Sequence, residues 1–142
     1  MKLAPVVASM ELSEGRRMTE PSPTPPVVLV VEDEALVRML AVDVLEEAGF
    51  EVIEAPSADY TVLVLNQRHD IRVVFTDVDM PGRLNGFQLA RHIQDHHHRV
   101  RVIIGSGKCR PAPDDIAPGT RFLQKPYAVE VLVREVRRLA AA

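Results

Sequence analysis

The chain has 142 residues, 46% apolar and 26% charged, the balance of one globular domain with a full core. A formal charge of −3 gives nucleic acid or anionic lipid no broad basic surface to bind, and no apolar run is long enough to cross a membrane. The single cysteine, Cys109, excludes an intrachain disulfide, so a reducing cytoplasm is the expected setting and an incidental loop thiol the expected role.

Residues 1–26 read as a disordered leader. Met1 to Ala8 faintly resembles a signal peptide, but Pro5 interrupts it and Glu11, Glu14, Arg16 and Arg17 follow, so secretion is not expected. Pro21, Pro23, Pro25 and Pro26, set among Ser and Thr, leave little to bury. At Val27 the pattern changes. Val27–Val31 is β-branched and reads as a first strand, ending in Glu32-Asp33-Glu34. Leu36, Met39, Leu40 and Val44 recur at helical spacing, with Gly49 as the stop. Glu51 to Ala55 reads as a second strand. Ser57 is the expected N-cap of a helix running to about Asn66 or Arg68.

The next stretch is an apolar run, Val73-Val74-Phe75, that delivers Asp77 and then Asp79 before Met80-Pro81-Gly82 turns the chain. It suits a strand buried on both faces of a parallel sheet. A helix is expected from Gly86 to about His96, and a fourth strand over Val100 to Ile104, ending at Gly105-Ser106-Gly107. Arg121 to Gln124 is the fifth strand and ends at Lys125-Pro126. The last helix runs from Ala128 to Ala140, with Val129, Leu132, Val133 and Val136 as its stripe. Strands and helices alternate throughout. The class is α/β, a doubly wound five-stranded parallel sheet, with residues 27–142 as one domain.

Four strand ends carry polar groups: Glu32 and Asp33, then Asp77, then Ser106, then Lys125. In a parallel sheet these ends share one edge, where open α/β sheets bind ligands. Clustered carboxylates repel one another and call for a cation. Mg²⁺ suits them, because it takes a few carboxylates together with water and phosphate oxygens. Lysine adds a point positive charge, and a serine hydroxyl can donate to an oxyanion. The set is equipped to hold a phosphoryl group, with Asp77 as the nucleophile.

These pieces together resemble the receiver domain of bacterial two-component response regulators, in its stand-alone form. The resemblance covers about Pro26 to Ala140. It rests on Val30-Val31-Glu32-Asp33-Glu34, Asp77-Val78-Asp79-Met80-Pro81, Gly86, Ser106 and Lys125-Pro126-Tyr127. It implies the flavodoxin-like strand order 2-1-3-4-5 and a signalling switch rather than an enzyme. It implies that Asp77 takes a phosphoryl group from a sensor histidine kinase or a histidine phosphotransfer protein. Asp33, Asp77 and the backbone carbonyl of Asp79 would ligate Mg²⁺, and Glu32 would act through water. Ser106 and Lys125 would bind phosphoryl oxygens, and the Lys125-Pro126 bond would be cis. Neither direct nucleic-acid contact nor membrane insertion is expected.

The chain departs from that pattern in several places. Glu32 stands where Asp is commoner. One extra residue between Pro81 and Gly86 predicts a bulge over Gly82 to Asn85. Pro111, Pro113 and Pro118 predict that helix four of the pattern is shortened or replaced by loop across Gly107 to Thr120. Phe122 occupies the place of the family's rotating aromatic. Asp79 and Lys108 are expected to approach as a screened ion pair beside the entrance to the site.

Two other readings compete. A small-molecule phosphatase using an aspartyl phosphate would need a second acid on a mobile cap, and no cap is inserted. A pseudo-receiver would not retain all five site residues. His92, His96, His97 and His98 read as a solvated helix end, with metal binding by the i, i+4 pair as the alternative. Arg134, Arg137 and Arg138 read as a solvated basic face that suits the helix dipole.

Overall fold

The structure, a computed structural model, describes residues 24–107 and 116–142. Its elements run β1 (Val27–Val31), α1 (Ala35–Glu47), β2 (Glu51–Ala55), α2 (Ala58–Gln67), β3 (Ile71–Asp77), α3 (Gly86–His96), β4 (Arg101–Ser106), β5 (Thr120–Gln124) and α4 (Val129–Ala140). The five strands form one parallel sheet in the order β2-β1-β3-β4-β5. That is the expected fold. Most of the leader lies outside the described residues. So do Lys108, Cys109 and the greater part of the Gly107–Thr120 segment.

The sheet is covered on both faces. Leu29, Val31, Val74 and Ile104 point toward α2 and α3, where Leu65, Leu89 and Ile93 meet them. Val28, Val30, Val73, Phe75 and Ile103 point the other way, toward Leu45 of α1 and Leu132 and Val136 of α4. Strands with two buried faces favour apolar residues at successive positions, which is why β1 and the Val73–Phe75 centre of β3 read as unbroken runs. At ~25 cal/mol per Å² of apolar surface, each fully buried Leu or Ile contributes about 1.5–3 kcal/mol.

Local signals set the ends of the elements. Ser57 Oγ accepts from the Tyr60 amide at 3.1 Å and caps α2 as expected. Gly49 ends the α1 turn at a φ of +101°, a conformation that side chains avoid. α3 opens with a reciprocal capping box: Asn85 Oδ1 accepts from the Gln88 amide at 2.9 Å, and Gln88 Oε1 accepts from the Asn85 amide at 2.8 Å. The segment from Gly82 to Asn85 is pinned to α2, because Asp59 Oδ2 accepts from the Arg83 amide at 3.0 Å.

Two sequence readings need correction. Leu36, Met39 and Leu40 are 68%, 53% and 59% exposed, so the helical stripe chosen for α1 mostly faces outward. Val42 and Leu45 are the buried pair. α1 is apolar on more than one face, and spacing alone cannot say which face the sheet takes. The basic end of α4 is also not simply solvated. Arg137 donates to the Ala48 carbonyl at 3.1 Å and lies 5.4 Å over the Phe50 ring, tying α4 to the end of α1. Arg121 of β5 and Arg138 both pair with the buried Glu135, and these partners hold its carboxyl below the usual range.

Candidate functional site at the carboxyl edge of the sheet

Register brings the strand ends together. Thr76 pairs with Val31 on one side and Ile104 on the other, so Asp77 ends the central strand directly opposite Gly105. Glu32 follows Val31, and Ser106 follows Gly105. Ser106 in turn pairs with Gln124, and Lys125 follows. Neighbouring strands lie ~4.8 Å apart, so β5 is two strands, roughly 10 Å, from β3. Only a long side chain crosses that gap. Lys125 does so, placing Nζ 3.7 Å from Asp77 Oδ1. The Lys125 amide donates to the Ser106 carbonyl at 2.9 Å, which locks the serine and lysine strand ends together.

Asp77 is held in orientation as well as in place. The Val78 amide donates to Oδ1 at 2.8 Å, the same oxygen that faces Lys125. Its side chain is 22% exposed, open enough for a reacting partner. Ser106 is buried at the edge. Glu32 is also buried, and its Oε2 accepts from the Glu34 amide at 3.2 Å. Burial raises the Glu32 carboxyl above its ordinary range, and a hydrogen bond with the Asp33 carboxyl and the charge of Asp77 push the same way. Asp33 itself is exposed. Asp79 is exposed too, two residues beyond Asp77, and its expected partner Lys108 lies outside the described residues.

Three further residues support the site, and of these Arg38 carried no sequence signal that pointed to it. Arg38 donates from Nη1 to the Glu32 carbonyl at 2.7 Å and from Nε to Glu54 Oε1 at 3.0 Å. It therefore anchors the acidic loop to β2. Tyr127 packs edge-on against Phe75 at 6.2 Å, and burial, then the charges of Asp77 and Glu32, push its hydroxyl up to about 12. Gly86 is the third. Its amide donates to the Val78 carbonyl at 2.8 Å, and an added Cβ would stand 2.3 Å from the Asp77 carbonyl oxygen. The Lys125-Pro126 bond is cis, as expected. Phe122 is half-buried and stacks on Phe87 of α3, with centroids 6.5 Å apart.

Beside these groups lies a groove of about 600 Å³ between α1 and α4. Val37, Leu40, Val44, Tyr127, Val129 and Leu132 line it, with Asp77 and Lys125 at one end. Among the described residues, no three of His, Cys, Asp and Glu converge closely enough to form a ready-made metal cage.

The family model of the response regulator receiver domain matches residues 28–137. The chain belongs to this family. Its relatives include the sensor kinase CckA of Brucella abortus, 32% identical over 142 residues, covering 96% of this chain and 14% of the kinase. The 3',5'-cyclic-nucleotide phosphodiesterase regA of Dictyostelium discoideum is 32% identical over 126 residues, covering 82% of this chain and 16% of that protein. The chain thus spans a small part of either relative. The chemotaxis protein CheY of Bacillus subtilis is 25% identical, covering 78% of this chain and 94% of its own length.

Among solved structures, a response regulator receiver protein from Sinorhizobium medicae superposes with a TM-score of 0.75 at 25% identity, covering 83% of this chain and 96% of that one. The receiver domain of the hybrid histidine kinase CckA gives 0.68 at 28% identity, covering 80% and 98%. A receiver domain is a phosphoacceptor in two-component signalling, and the family is a switch rather than a class of enzymes. No helix among the described residues is long and apolar enough to cross a membrane.

Proposed function

We propose that Asp77 of this receiver is the phosphoacceptor, with Ser106 and Lys125 as its partners and Glu32, Asp33 and Asp79 as the metal-side groups. The observation that carries this is the position of Asp77. It ends the central strand, is oriented by the Val78 amide, and faces Lys125 across the sheet edge. Residues 27–142 are the receiver unit and 1–26 a leader outside it.

The donor is a phosphohistidine on a sensor histidine kinase or a histidine phosphotransfer protein. An Asp77 carboxylate oxygen attacks phosphorus, the P–N bond breaks, and the imidazole leaves with the electron pair. Lys125 offers its ammonium to the phosphoryl oxygens that arrive beside Asp77, and the Ser106 hydroxyl donates to another. Water later attacks phosphorus, releasing inorganic phosphate and restoring the carboxylate, so the chain catalyses only its own phosphorylation and slow dephosphorylation.

The donor set fits Mg²⁺. Glu32 and Asp33 press their carboxyls together and Asp77 adds charge, an arrangement that a cation relieves. Mg²⁺ needs no closed protein cage, since it keeps several waters and shares one or two carboxylates with phosphate. Asp33, Asp77 and the Asp79 carbonyl would hold it directly and Glu32 through water; when bound, it supplies charge neutralisation for the phosphoryl oxygens.

The exposed face of α1 and the adjoining groove provide a landing surface for the donor. Leu36, Met39 and Leu40 are apolar and exposed, and Leu40 lines the groove that has Asp77 at one end. Signalling takes place in the cytoplasm, through protein partners rather than direct nucleic-acid contact. Acetyl phosphate tests the assignment. Label should enter the wild type only with Mg²⁺ present and should be absent from Asp77→Asn; equal labelling of that variant contradicts it.

A further inference from the structure

α3 ends in a packed set of imidazoles. His92 and His96 lie one turn apart, and their rings stack with centroids 4.4 Å apart and an interplanar angle of 22°. His97 brings a third ring, 6.1 Å from that of His92. Two protonated rings at such range repel each other, so the packing favours neutral imidazoles. Burial first, and then the neighbouring imidazoles, hold His92 and His97 below the ordinary histidine range. The nearby groups are of both kinds: Asp95 acts on His92 in the opposite direction, while His69 and His98 add to the effect on His97. Neutral imidazole is the form that binds metals.

Hydrogen bonding fixes the tautomer of His96. Its Nδ1 lies 3.0 Å from the His92 carbonyl oxygen. A carbonyl only accepts, so Nδ1 carries the proton and Nε2 keeps the lone pair. Metal-bound histidines usually keep just such a backbone contact on the other nitrogen. Beside His92 and His96, His97 Nε2 is buried and has no hydrogen-bond partner among the described residues.

We infer that His92 and His96 form an open two-imidazole site for a borderline divalent metal (Zn²⁺, Ni²⁺ or Cu²⁺). The i, i+4 spacing puts both rings on one helix face, the arrangement that helical zinc sites use. No three ligands stand ready as a closed cage among the described residues. The remaining positions are therefore filled by water or by a ligand from outside the chain. Mg²⁺ does not compete, since it selects oxygen donors. The site is also separate from Asp77, because α3 starts against the Asp77 carbonyl and carries His92 about 9 Å and His96 about 15 Å along its axis from that end.

The test is calorimetric titration of the untagged full chain with zinc chloride and, separately, nickel chloride at pH 7.5 in excess Mg²⁺. One saturable equivalent is expected. His92→Ala and His96→Ala should each weaken binding at least tenfold, while His98→Ala and Asp33→Ala should leave it in place. At pH 5.5 binding should be lost as the rings take protons. His96 is exposed, so its truncation leaves the fold intact, and an unchanged melting temperature verifies this. Absence of saturable binding overturns the inference. So does a loss below tenfold in either histidine variant, or a loss in Asp33→Ala instead.

Discussion

Gly86→Ala offers a direct test of how the site is held. The new Cβ would stand 2.3 Å from the Asp77 carbonyl oxygen and 3.0 Å from both the Asp77 carbonyl carbon and Val78 Cα. Real Cβ contacts essentially never fall below 3.0 Å, so the carbonyl contact must open by about 0.7 Å. The obstacles are backbone atoms, and no rotamer change removes them. Either α3 withdraws, stretching the 2.8 Å bond from the Gly86 amide to the Val78 carbonyl, or the Asp77–Val78 peptide moves. Overpacking of this kind costs about 1–3 kcal/mol. Gly86 opens the helix instead of lying within it, so little of the ~0.5–1 kcal/mol of helix propensity gained by alanine offsets that cost. At roughly 3–6 °C per kcal/mol, the melting temperature should fall by about 3–18 °C.

The functional effect should exceed the thermal one. A displacement near 1 Å at a reacting group can cost on the order of 100-fold in rate. Acetyl phosphate labelling, followed well below the melting temperature, should slow at least tenfold. Gly49→Ala supplies the control: its φ of +101° makes alanine strained, yet a Cβ there meets nothing within 4 Å. It should lower the melting temperature and leave labelling unchanged. If Gly86→Ala melts within about 0.5 kcal/mol of the wild type and labels at the same rate, the close approach of α3 does not position Asp77.

Three further outcomes are expected. The Glu32 carboxyl is raised above its ordinary value of 4.5, so the folded state binds that proton more tightly than the unfolded chain. Stability from this group is full below about pH 4.5 and is lost as pH rises through the folded value; Glu32→Gln should therefore raise the melting temperature at pH 7.5, by less as pH falls, while weakening Mg²⁺ binding by calorimetry. Arg38→Ala removes the donors to the Glu32 carbonyl and Glu54, partly exposed contacts worth about 1–2 kcal/mol together, and should also weaken Mg²⁺ binding; an unchanged affinity would mean that Arg38 does not position the acidic loop. Leu40→Asp should shift the melting temperature little, because Leu40 is exposed, yet slow transfer from a phosphorylated donor protein about tenfold without changing labelling by acetyl phosphate; equal slowing with both donors would place its effect within the site.

The sheet and its reactive edge were legible because two simple constraints coincide. Strands buried on both faces write continuous apolar runs, and in β1 and β3 nothing else competes for that pattern. Parallel strands then put Glu32, Asp77, Ser106 and Lys125 on one edge whatever lies between them. The α1 face was not legible. Leu36, Met39 and Leu40 repeat at helical spacing as well as any core stripe, and only the docked position of Val42 and Leu45 shows which side the sheet takes. Arg38 was hidden for a related reason: its partners, Glu32 and Glu54, become neighbours only when β1 and β2 pair. Gly86 was visible as a residue of the family pattern, but its steric reason lies in a contact with a strand nine residues earlier. The Asn85–Gln88 capping box could have been read from the sequence, since the amide pair stands at the right spacing just before an apolar stripe.

The central claim is that phosphorylation occurs on Asp77 at this edge. Sodium borohydride reduces an aspartyl phosphate to homoserine, so peptide mass spectrometry after acetyl phosphate treatment reads the site directly. Homoserine should be found at position 77 alone, dependent on Mg²⁺ and strongly reduced in the Lys125→Ala protein. Homoserine at Asp33 or Asp79, or at position 77 in equal yield without Mg²⁺, would contradict the account.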